Sequence, residues 1–122
     1  MAEEEQRRVL LGLHDNGILK MYDMLAKQKG LHPVSMLERE ALSGELRGTE
    51  YDFCIIDPNL GNPGARDISF ARAVRDCIRS KGHDTNLYVM TGRKDSYLDL
   101  VDEGFRAGLK AHSPIMEPFG GI

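Results

Sequence analysis

Apolar residues fall along this 122-residue chain in two textures, short unbroken runs and stripes that recur every three or four positions. Unbroken runs suit strands covered on both faces, and three-to-four spacing suits amphipathic helices. Arg8-Val9-Leu10-Leu11-Gly12-Leu13 predicts a first strand. Ile18, Met21, Tyr22, Leu25 and Ala26 then keep helical spacing, and Gly30 supplies a stop, so a helix is expected from about Ile18 to Lys29. A weaker strand spans roughly His32 to Leu37, followed by a short helix from about Glu38 to Leu46 that Gly48 ends. Phe53-Cys54-Ile55-Ile56 is the third strand. Ile68, Ala71, Val74, Cys77 and Ile78 make one stripe of a helix closed by Gly82. Leu87-Tyr88-Val89-Met90 is the fourth strand, and Tyr97, Leu98, Val101 and Phe105 mark a shorter helix behind it. A fifth short strand is expected near Ala107 to Ala111, weakened by Gly108.

Strands alternating with helices predict a doubly wound, five-stranded parallel sheet of the flavodoxin-like type, because parallel strands need crossover helices. Such sheets bind ligands beyond the carboxyl ends of their strands. Asp57 stands there: it closes the third strand and precedes Pro58, which biases it away from helix. The ends of strands one, three and four deliver His14-Asp15-Asn16, Asp57-Pro58-Asn59 and Thr91-Gly92-Arg93 to one rim. Asp15 and Asp57, with backbone carbonyls and waters, offer the oxygen ligands that Mg²⁺ prefers and leave positions open for a phosphoryl group. The Thr91 hydroxyl could bond a phosphoryl oxygen.

Composition narrows the field. The length suits one domain over residues 1–122, with an acidic N-terminal tail at 1–7 and an irregular tail at 112–122. Formal charge is −3, with lysines and arginines interspersed among acids, so no nucleic-acid footprint is expected. The longest apolar runs are a few residues and the start is acidic, so neither membrane span nor signal peptide is expected, and the predicted location is cytoplasmic. Cys54 and Cys77 fall in a predicted strand and helix, as reduced core residues do.

Three segments together carry a family resemblance: Val9-Leu10-Leu11-Gly12-Leu13-His14-Asp15-Asn16, Tyr51-Asp52-Phe53-Cys54-Ile55-Ile56-Asp57 and Val89-Met90-Thr91-Gly92. In order and position they resemble the first strand with its acidic pair, the phospho-acceptor strand and the switch-threonine strand of the receiver domain of two-component response regulators. The resemblance implies a signalling module, not an enzyme, in which Asp57 accepts a phosphoryl group from a histidine kinase or phosphotransfer protein. It further implies that Asp15, Asp57 and the backbone carbonyl of Asn59 hold Mg²⁺, that Thr91 moves to bond the phosphoryl group, and that an unspecified output partner reads the change.

The chain also departs from that pattern. His14 replaces the first acid of the pair. Aligning Glu117-Pro118-Phe119 on the family's Lys-Pro-Phe puts a glutamate at the lysine position, whereas aligning on Gly104 leaves Lys110 there, the alignment preferred here. The loop after Asp57, residues 61 to 66, is longer than usual. Pro114, Pro118, Gly120 and Gly121 exclude a regular final helix. Its absence would expose an apolar face, to be covered by the tail or by a second copy of the chain joined through the edge of strands four and five. Two alternatives follow: a degenerate receiver that binds a partner without phosphorylation, and, more remotely, a cobalamin-binding module, to which His14-Asp15-Asn16-Gly17 is superficially similar although Gly12 stands where that motif has aspartate.

Overall fold

The computed structural model describes residues 7–13, 16–60 and 68–109. Its elements run β1 (Arg8–Gly12), α1 (Asn16–Gln28), β2 (His32–Met36), α2 (Arg39–Gly48), β3 (Phe53–Ile56), α3 (Ser69–Ser80), β4 (Asn86–Thr91), α4 (Lys94–Asp102) and β5 (Arg106–Leu109). The strands form one sheet in the order β2-β1-β3-β4-β5, with every neighbouring pair parallel. This is the predicted doubly wound, flavodoxin-like arrangement. The absence of a regular final helix and the irregular tail were expected over residues that lie outside the described ones.

The unbroken apolar runs work as expected, because successive side chains of one strand enter opposite layers. Leu10, Cys54, Ile56 and Val89 pack with Leu42 and Leu46 of α2, Phe70, Ala71, Val74 and Ile78 of α3, and Leu100 of α4. Their neighbours Val9, Leu11, Phe53, Ile55, Tyr88 and Met90 face the other way, with Leu19, Tyr22 and Ala26 of α1. All four residues of β3 are buried, as suits the central strand of a sheet covered on both faces.

Helix ends follow local chemistry. Gly30 has φ 75°, Leu31 N donates to Ala26 O at 2.9 Å and Gly30 N to Lys27 O at 3.0 Å, a left-handed glycine cap that turns α1 into β2. The first strand of the sheet edge, β2, carries Pro33 opposite Val9 of β1. The expected stripe on α4 is corrected. Ser96 and Leu100 are its buried residues, while Leu98 is 51% and Val101 47% exposed. Phe105 lies beyond Gly104, whose φ of 84° ends the helical register, so it could not anchor a stripe with Val101.

Candidate functional site

Asp57 leaves β3 with its backbone still in the ladder: its N–H donates to Gly12 O at 2.8 Å. The chain then turns at once. Asn59 N donates to Asp57 Oδ1 at 2.8 Å and Leu60 N to Asp57 O at 3.0 Å, so the carboxylate organises the turn that follows it. Pro58, Asn59 and Leu60 are buried with it, and Asp57 itself is fully buried. Thr91, the last residue of β4 and also fully buried, donates its hydroxyl to Asn59 Oδ1 at 3.1 Å and accepts from Arg93 N at 3.1 Å. Asp57, Asn59 and Thr91 are thus joined by a chain of hydrogen bonds across the carboxyl ends of β3 and β4.

The predicted residues Asp57, Asn59 and Thr91 therefore meet at one rim. Asp15, His14, Lys110 and Glu117 lie outside the described residues, as does the 61–66 loop. Among the described residues no group of three or more His, Cys, Asp or Glu side chains gathers. Asp57 and Asn59 do supply oxygen donors of the kind a hard cation takes, so the residues present suit Mg²⁺ in chemistry.

Two features of the site were not predicted. The Asn59 side-chain oxygen accepts from the Thr91 hydroxyl while the backbone N–H of the same residue donates to the acid. Arg39, the first residue of α2, donates its Nε to Leu60 O and an Nη to Pro58 O at 3.1 Å, with its guanidinium 4.9 Å from the Phe70 ring centroid. It ties the turn after Asp57 to α2 and α3. Cys54 is buried in β3 and Cys77 is half-buried in α3. Burial of Cys54 in β3 raises its pKa well above the ordinary thiol value, so it remains a neutral core group.

Gly12 bears on the cobalamin alternative. A Cβ there would collide with Leu42 Cδ1 of α2 and stand 3.2 Å from Leu60 Cδ2. A side chain at this position would require Leu42 and Leu60 to shift, so the packing around β1 suits the glycine that stands there.

Fold and rim together define a class: a doubly wound parallel sheet with an acid and a hydroxyl at the carboxyl ends of its two adjacent inner strands. Receiver domains of response regulators share this fold. The CheY-like receiver domain from Methylobacillus flagellatus aligns with a TM-score of 0.69 at 16% identity, over 93% of this chain and 95% of that one. The response regulator TrrA from Thermotoga maritima, in complex with Mg²⁺ and beryllofluoride, aligns with a TM-score of 0.68 at 19% identity, over 93% and 92%. A response regulator from Burkholderia pseudomallei with a phosphorylated aspartic acid, a calcium ion and citrate gives 0.64 at 16% identity, over 93% and 64%. At these identities the likeness is one of fold. In sequence, neither protein-family models nor curated proteins give a match.

Proposed function

We propose that residues 1–122 form one receiver-like signalling domain that accepts a phosphoryl group on Asp57. The observation that carries this reading is the bonded series Asp57–Asn59–Thr91 at the carboxyl edge, on a fold whose solved relatives include one with a phosphorylated aspartic acid. In the proposed reaction an Asp57 carboxylate oxygen forms the bond to phosphorus as the donor's phosphorus–nitrogen bond breaks and the leaving imidazole keeps the electron pair. Catalysis of such transfers is mostly positioning and electrostatics. Asp57, the Asn59 backbone carbonyl and Asp15 would hold Mg²⁺, which would supply positive charge against the phosphoryl oxygens.

The acyl phosphate brings about −1.5 to −2 charges to a buried rim. Thr91 is the hydroxyl nearest in the bonded series, and trading its bond to Asn59 for one to the phosphoryl group would pull on Arg93 and the start of α4. Lys110 is the proposed cationic partner. The domain acts as a cytoplasmic switch without turnover of a small substrate. Its partners are a histidine kinase or phosphotransfer protein, an output protein, and a second copy at the β4–β5 edge, beside the exposed Leu98 and Val101. Among the described residues no helix is long and apolar enough to cross a membrane.

Incubation with acetyl phosphate and Mg²⁺, read by intact mass, tests the assignment. The wild-type chain is expected to gain one phosphoryl group and Asp57→Asn none, and beryllofluoride with Mg²⁺ should shift the amide signals of Asn59 and Thr91. No mass gain and no shift in the wild type would leave a phosphorylation-independent interaction module as the better reading.

A further inference from the structure

A second concave site opens at the other end of the sheet. It lies between the last turns of α3, the start of β4 and the start of β5, with a volume of about 310 Å³. β4 runs from Asn86 at this edge to Thr91 at the other, roughly 16 Å at strand rise, so the two sites are separate. Arg75, Arg79, His83 and Arg106 line it, and among the described residues none that line it is acidic, although the chain carries a formal charge of −3.

The cations are positioned. The Arg75 guanidinium lies 4.8 Å from the Phe105 ring centroid, and that of Arg106 lies 5.7 Å from the Tyr88 ring while donating Nη1 to Tyr88 Oη at 3.0 Å. A guanidinium stacked on a ring keeps its N–H edge available to a third group. Arg75 and Arg79 stand one turn apart on α3, a spacing at which like charges are unfavourable without a counter-ion. Asp76, an exposed side chain, brings its Oδ1 to 3.7 Å from Arg75 Nε, an ion-pair distance too long for a hydrogen bond. Among the described residues, Arg75 Nε and His83 Nδ1 are buried atoms without a hydrogen-bond partner, which native interiors avoid. The backbone at His83 is fixed, because its main-chain N–H donates to Ile78 O at 3.1 Å after Gly82 turns the chain.

We propose that this pocket binds a small molecule carrying a phosphate group. Three guanidinium forks match the oxygens of a dianion better than a single carboxylate, and the volume falls at the low end of small-molecule sites. The shared chemistry is the phosphate; inorganic phosphate and a phosphate monoester are its two possible sources. Two-dimensional NMR titration of the full chain with sodium phosphate and, separately, with adenosine 5′-monophosphate distinguishes them, with sodium chloride at matched ionic strength as control. Saturable shifts confined to the amides of Arg75 to His83 and Gly104 to Arg106 are expected with at least one probe. Equal response to both indicates the anion alone, and a tighter response to the nucleotide indicates a monoester.

Arg79→Gln, at an exposed position, is expected to weaken that binding by about tenfold or more, the loss typical of removing charge-assisted hydrogen bonds, with the rest of the spectrum showing that the fold is kept. Arg75→Gln should weaken it further. Absence of a saturable response to either probe, shifts that sodium chloride reproduces, or affinity unchanged in both variants would overturn the proposal. Binding of an acidic peptide at these residues in place of both phosphate probes would overturn it as well.

Discussion

Arg39 shows how a residue far along the chain fixes the backbone beside an acid. Its two donors hold Leu60 O and Pro58 O, so the turn after Asp57 is tied to the start of α2. Hydrogen bonds from a charged group contribute roughly 1.5–3 kcal/mol each in favourable settings, less with partial exposure. Arg39→Gln is therefore expected to lower unfolding free energy by about 1–2 kcal/mol in urea and to broaden the amide signals of residues 58–60. An unchanged midpoint and sharp signals would remove Arg39 from this role. Asp57 and Thr91 were legible in the sequence because each closes an apolar run at a predicted strand end. Arg39 and the amide of Asn59 were not, since their roles depend on contacts 21 and 32 positions away that no local pattern encodes.

Helices were legible in proportion to how many of their residues face the sheet. α3 buries the expected Ala71, Val74 and Ile78, and α1 buries the expected Tyr22 and Ala26 with Leu19 while Ile18, Met21 and Leu25 are half-buried, whereas α4, with nine residues, rests on the sheet through Ser96 and Leu100. Spacing pointed to Tyr97, Leu98 and Val101 instead, a stripe that gained false weight from Phe105 across the Gly104 turn. The correction predicts an asymmetry. Leu100→Ala should cost about 2–5 kcal/mol by leaving a hole beside Val89, whereas Leu98→Ala should stay within about 0.5 kcal/mol. Comparable losses in thermal or urea unfolding would restore the original stripe.

Across the whole molecule, the alternation of strands and helices carried the fold into view, since parallel neighbours leave few other topologies. Which helix covers which face was not legible, because β1, β3 and β4 are apolar on both sides and their pattern is the same in either direction. The sheet ends on one side in β2, whose open edge has an uneven supply of donors. His32 N donates inward, to Arg7 O at 2.8 Å, so the backbone nitrogen of the next residue is directed outward. That residue is Pro33, which has no N–H to offer. An extra strand docking on β2 would thus miss a rung near the start of the edge, and the chain carries a built-in guard against edge-to-edge growth into fibres. Pro33→Val should shorten the lag of thioflavin-detected aggregation under agitation without loosening the sheet. An unaltered lag would assign the proline to the local shape of the strand alone.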